Sequence, residues 1–238
     1  MTEQGATTFQ HEVLAAVFTI GRDLHGFASL KVLLWQRAQW PDAGRWALPG
    51  GAVRLDETVD DSMSRQLAEK VDLAGVSHLE QLGVFSAPDR VPAGPGRPAR
   101  VIATGFLGLV PSGVTPSLPE DTDWETVDRL SPIALDHGRI IDRAHDRLRA
   151  KVSYTNLAFG LAPAEFTLAE LAGIYRAVLG HDIDPSNLQR VLGRRGMIET
   201  VGRTAPPGAS GGRPAALYRF TTADLTVTDP FAAFRPPS

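Results

Sequence analysis

The chain opens with two short runs dense in Val, Leu and Ile, EVLAAVFTI (12–20) and SLKVLLWQR (29–37), separated by the polar stretch GRDLHGF. Apolar runs of this length, bounded by a glycine-bearing turn, predict strands of one sheet. WALPGGAV (46–53) follows as a turn, in which Pro49, Gly50 and Gly51 supply the backbone permissiveness. Val59, Met63 and Leu67 then recur every four positions, the apolar stripe of a helix that Asp56 is placed to cap and that runs to about residue 71. LEQLGVFS (79–86) and VIATGFLGLV (101–110) predict two further strands around the loop APDRVPAGPGRPAR, and HGRIIDRAHDRLRAKV (137–152) predicts a second helix. Strands with one helix between them and another after them predict an α/β (α+β) domain.

The punctuation changes after NLAFGLAPAE (156–165), which divides the chain into an expected first domain, 1–155, and a second, 156–238. Thr167 and Glu170 form a capping box at the start of LAELAGIYRAVLG, which stops at Gly180. Asp184-Pro185 is a cap followed by a proline at the first helical position, opening SNLQRVLGRRG. MIETVGR and ALYRF then bracket TAPPGASGGRP as two strands around a long basic tip. Two helices joined by a short turn, then a hairpin, is the outline of a winged helix-turn-helix. The tail TADLTVTDPFAAFRPPS is assigned only packing.

Composition narrows the chemistry. The 238 residues hold enough apolar content, 43%, for two modest cores. The chain has no cysteine, which excludes disulfides, thiolate zinc sites and a cysteine nucleophile, and fits a reducing compartment. No apolar run spans a membrane and the N-terminus has no signal-peptide pattern, so the expectation is a soluble cytoplasmic protein. The net charge of −3 conceals a basic segment: from Ser186 to Phe220 there are six arginines against Glu199, a local balance of 6 − 1 = +5 suited to phosphate.

The first helix carries the most specific signal. Gly51, Glu57, Arg65 and Glu69 stand at the spacing of the Nudix box, G-x5-E-x7-R-E-U-x-E-E-x-G-U, just downstream of WALPGG. The region resembles the Nudix superfamily, which implies an α/β/α sandwich and hydrolysis of nucleoside diphosphates linked to another group. Positions 66, 69 and 70 share one helix face, where three carboxylates would gather Mg²⁺ against a pyrophosphate. Here that face reads Gln66, Glu69 and Lys70, so its charge is 0 instead of −3, and Asp72 replaces the box glycine. The expectation is lost or very weak hydrolysis and no metal site, with Lys70 offering a fixed positive charge to a diphosphate. Two alternatives stand beside it. An ordinary amphipathic helix with an Arg65–Glu69 surface pair needs no ligand. A residual metal-dependent ADP-ribose pyrophosphatase would hold metal through Glu57, Glu69 and acids such as Asp60 or Asp61.

The second half offers DNA chemistry. Ser186, Asn187, Gln189 and Arg190 lie in the first turns of the second helix, where Asn and Gln can read adenine and Arg guanine. Arg194 and Arg195 are candidates for phosphate, and Gly211, Gly212 and Arg213 form a wing tip suited to the minor groove or the backbone. The order of the two halves, with RVIATGFLGLV, the junction DWETVDRLSPIALDHGRIIDRAHDRLRAKVSYTNLAFGL, FTLAEL and GRPAALYRF, resembles the NrtR family of Nudix-related regulators of NAD metabolism. That resemblance implies a homodimeric regulator, usually a repressor, binding double-stranded operator DNA, with ADP-ribose or a related nucleotide as effector and no required cofactor. The candidate pocket comprises Arg37, Gly50, Gly51, Arg65, Glu69, Lys70 and Arg100, with Phe85 available to stack a base or enter the core. The segment from His137 to Leu161 is the candidate coupling element between the two sites. A third reading is a nucleotide-sensing protein whose wing meets RNA or protein.

Overall fold

The computed structural model describes residues 9–71, 75–92, 94, 100–114, 116–206 and 214–228, with only the backbone of 70 and 71. Strands β1 (Phe9–Arg22), β2 (Ala28–Gln36), β3 (Trp46–Ala47), β4 (Gly50–Ala52), β5 (His78–Phe85), β6 (Arg100–Leu109) and β7 (Thr122–Thr126) form one sheet. Its main path runs β3-β2-β1-β6-β5, with β4 added to β1 and β7 to β2. β1 and β6 are parallel over Phe9–Phe18 and Arg100–Leu109, while the other pairs are antiparallel.

The two-residue period of β1 sorts its side chains between two cores. Val13, Ala15 and Val17 pack with Leu33, Phe106 and the Met63 and Leu67 of α1 (Val59–Val71). Leu14, Ala16 and Phe18 face the other way, toward Ile140, Ile141, Ala144, Leu148 and Val152 of α2 (His137–Tyr154). The sheet is thus buried on both faces, an α/β/α sandwich, which explains why its strands are nearly continuous apolar runs. Each fully buried Leu or Phe contributes about 1.5–3 kcal/mol relative to exposure.

A second unit follows. β8 (Phe166–Thr167), β9 (Ile198–Thr204) and β10 (Ala216–Phe220) make a small antiparallel sheet in the order β8-β10-β9. It packs with α3 (Leu168–Leu179) and α4 (Pro185–Arg194). The expected caps are present: Thr167 and Glu170 close their box, Gly180 ends α3 at φ 80°, and Asp184 accepts from the Asn187 amide above Pro185. Phe166, Leu171, Ile174, Val178, Leu188 and Leu192 join the α2-side core, so this unit shares one apolar cluster with the first.

Three details correct the sequence reading: the cap of α1, the two strands within WALPGGAV, and β7; the tail packs, as expected. Thr58, not Asp56, caps α1, because its hydroxyl accepts the Asp61 amide at 3.1 Å and donates to the Asp61 carboxylate at 2.7 Å. WALPGGAV holds two short strands as well as its turn, and β7 forms an unexpected edge on β2. The tail returns to the joint: the buried Asn156 amide nitrogen donates to Asp224 O at 2.9 Å, and its oxygen accepts from Thr226 N at 2.7 Å. Among the described residues no helix is long and apolar enough to cross a membrane.

Candidate functional site

The Gly50–Ala52 strand lies between β1 and the side of α1. Gly50 has φ 157°, and a Cβ there would stand 2.0 Å from Val13 O, so only glycine lets the strand approach β1 this closely. At Gly51 a Cβ would lie 2.5 Å from the Gln66 side-chain amide. Arg65 is the hub of the site: its Nη2 meets Glu57 at 2.6 Å and its Nε at 2.8 Å, Nη1 reaches Glu69 at 3.2 Å, and Nη2 donates to Ala52 O at 3.3 Å. The Arg65 guanidinium holds the Glu57 carboxyl down to about 2, against the opposing pull of its desolvation. Glu69 is half-exposed and also lies 3.8 Å from Arg54.

This donor set does not fit a divalent cation. Both box carboxylates, Glu57 and Glu69, are held by the one arginine, and Gln66 presents a neutral amide where a third would be needed. Among the described residues no three His, Asp or Glu side chains converge as a metal site.

Of the expected pocket residues, the structure gathers Gly50, Gly51, Arg65 and Glu69. The Lys70 side chain lies outside the described residues. Arg37 donates from Nε to Pro41 O at 2.9 Å, and Arg100 from Nη2 to Ser86 O at 2.8 Å, so each is engaged with a neighbouring loop. Phe85 packs against the core over Gly105, where a Cβ would stand 2.6 Å from its ring.

Arg90 and His137 were not foreseen. Arg90, with its side chain 1% exposed, makes a bidentate pair with Asp136 at 2.9 and 3.0 Å and meets Glu12 at 2.7 Å. It ties the β5–β6 loop to the start of α2 and to β1, and nothing in APDRVPAGPG distinguishes it from a solvated arginine. His137, the first residue of α2, accepts the Leu48 amide on Nδ1 at 3.0 Å, one residue before Pro49. Burial, together with the Arg90 and Arg37 charges, pushes its imidazole down to about 3.

The other end of α2 meets the second unit. His145 Nε2 donates to Val178 O at 3.0 Å and Arg149 Nη2 to Leu179 O at 3.1 Å, both at the end of α3. Arg195, just past α4, donates to Ser153 O at 3.0 Å, so it is directed at the joint between the units. On the outer face of α4, Ser186, Asn187, Gln189, Arg190 and Arg194 are exposed while Leu188 and Leu192 face inward. Arg190 donates to Asn187 Oδ1 at 2.6 Å, and Gln189 Nε2 to the Tyr218 hydroxyl of β10 at 3.0 Å. A groove of about 420 Å³ runs between α4 and the wing strands. Gly211, Gly212 and Arg213 lie outside the described residues.

A sandwich with a box-bearing helix, joined to a capped helix pair and wing, defines a Nudix domain fused to a winged helix domain. The NUDIX domain family matches residues 13–144, and the NrtR DNA-binding winged helix domain family matches residues 158–220. An ADPR responsive transcriptional repressor of Acinetobacter baylyi, NtrR, is 33% identical over 221 residues, which cover 90% of this chain and 83% of that protein. The chain belongs to the NrtR family. Its structure is similar to Shewanella oneidensis NrtR complexed with a 27mer DNA, at TM-score 0.71 and 27% identity, covering 88% of this chain and 93% of that one. It is also similar to the NUDIX domain of that protein complexed with ADP ribose, at TM-score 0.51 and 28% identity, covering 62% and 94%.

Proposed function

We propose that this chain is an ADP-ribose-responsive repressor of genes of NAD metabolism, acting in the cytoplasm as a homodimer on double-stranded operator DNA. Residues 1–155 sense the nucleotide and 156–238 hold the DNA. The relatives' DNA and ADP-ribose complexes support the two ligands, and the two half-sites that helix-turn-helix modules normally read support a dimer. The Gly50–Gly51 strand, Arg65 and Glu69 form the base of the nucleotide site, with Lys70, Arg37 and Arg100 as candidates on its rim. Asn187, Gln189 and Arg190 face base edges, with Ser186 beside them, and Arg194 and the wing residues Gly212 and Arg213 follow the backbone.

One observation carries the reading: a single helix contacts both units, next to the glycine turn in the first and at the ends of the helix pair in the second. α2 accepts the Leu48 amide beside the Pro49-Gly50-Gly51 turn at its first residue, and its second half meets the ends of α3 and α4 through His145, Arg149 and Ser153 O. A ligand that shifts the turn therefore bears on the recognition helix. The coupling is reciprocal: if ADP-ribose weakens DNA binding, DNA weakens ADP-ribose binding by the same factor. With Glu57 and Glu69 bound to Arg65 and a neutral amide at Gln66, the box binds the nucleotide without cleaving it, and the signal outlives its recognition.

The test is binding of the full chain to DNA from upstream of NAD-biosynthesis genes across a salt series, with and without ADP-ribose, alongside assay of AMP and ribose phosphate release with Mg²⁺ or Mn²⁺. Sequence-selective binding that ADP-ribose shifts, without nucleotide cleavage, is the expected result. Cleavage at enzymatic rates without selective DNA binding overturns it in favour of a pyrophosphatase.

A further inference from the structure

Gln66 is 5% exposed and lies directly beneath Gly51. With its amide turned so that donors face acceptors, Nε2 donates to Gly50 O at 3.1 Å and Oε1 accepts from the two terminal nitrogens of Arg65 at 3.1 and 3.3 Å. Arg65 continues the chain of contacts to Ala52 O, Glu57 and Glu69. The strand is thereby stitched to α1 at both ends by N–H donors, one from an amide and one from a guanidinium.

A carboxylate in this place has no proton to offer. It would set a negative oxygen against the Gly50 carbonyl, and two facing oxygens need a cation between them. The amide nitrogen supplies the positive end of a dipole at that point without any ion. We infer that Gln66 is a positioning residue that takes the place of a divalent cation in holding the Gly50–Ala52 strand on α1, and so makes nucleotide binding independent of metal. The nucleotide half of this inference rests on the ADP-ribose reading above; the structural half does not.

The experiment compares wild type, Gln66→Glu and Gln66→Leu as full chains, in EDTA and in Mg²⁺ or Mn²⁺, by two readouts: thermal unfolding followed by tryptophan fluorescence, and calorimetric titration with ADP-ribose. Wild type is expected to show the same Tm and the same Kd in both conditions. Gln66→Glu is expected to lose stability and about tenfold in ADP-ribose affinity in EDTA, the scale of one lost buried hydrogen bond, and to recover both with the cation. Gln66→Leu, which removes the donor without adding charge, is expected to be weakened equally in both conditions. Wild-type binding that requires Mg²⁺ overturns the inference, as does a Gln66→Glu protein indifferent to metal or a Gln66→Leu protein that binds like wild type. Should ADP-ribose fail to bind wild type at all, the functional reading falls, while the metal dependence of Tm still decides the role of Gln66. Should Gln66→Glu fail to fold without metal, refolding on addition of Mg²⁺ or Mn²⁺ supports the inference and failure with both cations counts against it.

Discussion

His137 should make the first unit acid-sensitive well above the range where carboxylates titrate. The residue is 2% exposed and its unprotonated Nδ1 accepts the Leu48 amide, so a second proton would sever that bond and bury a charge. The folded value of about 3 lies below the ordinary 6.5. Between these values the unfolded chain binds a proton that the folded chain does not, so stability is full above pH 6.5 and falls as the pH drops toward 3. At 1.36 kcal/mol per pH unit, this amounts to about 2 kcal/mol lost between pH 7 and pH 5, and roughly 5 kcal/mol by pH 3. The perturbation is His137→Asn, whose oxygen can accept the Leu48 amide but does not titrate. The assay is urea unfolding at pH 7 and pH 5 read by the fluorescence of Trp35, Trp40, Trp46 and Trp124, all of which lie in the first unit. Contributions from other groups appear in both proteins and cancel. The wild-type midpoint is expected to fall by about 1 M urea more than that of His137→Asn. Equal shifts in the two proteins would refute the assignment of acid sensitivity to this histidine.

Three further outcomes are expected. Arg90→Ala leaves Glu12 and Asp136 part-buried without their cation and should cost about 3–5 kcal/mol in denaturant unfolding; a loss below 1 kcal/mol would mean that water replaces the guanidinium. Asn156→Ala strands the Thr226 amide and should cost about 1–3 kcal/mol, with faster proteolysis of the tail as the accompanying readout. Arg194→Ala should lower the salt dependence of DNA binding by about one counterion, whereas Arg195→Ala, which loses the contact to Ser153 O, should leave that slope intact and reduce the effect of ADP-ribose on DNA affinity. Identical behaviour of the two arginine variants in anisotropy titrations would dissolve the distinction.

Local rules made much of the molecule legible in advance. The dense apolar run of β1, the stripe of Val59, Met63 and Leu67, the Thr167–Glu170 box, Gly180 and Asp184-Pro185 act over a few residues and carry their geometry with them. The box spacing likewise placed Gly51, Arg65 and Glu69 on one turn and helix. Even at this range Asp56 lost the cap to Thr58, because several acids and hydroxyls competed for the same amides within three residues. Partners distant in the chain were decided by the tertiary structure alone. Arg90 meets residues 78 and 46 positions away, Leu48 finds its acceptor 89 positions on, and Arg195 turns to a carbonyl 42 positions back. No local pattern marks one arginine for a buried pair and its neighbour for solvent, because that choice belongs to the cavity that the folded elements create. The sequence by itself determined most of the strands and helices, and that a box-bearing sandwich precedes a winged helix. Only the packed structure decided that Gln66 would act as a donor to Gly50, since the direction of an amide is set by the groups brought against it.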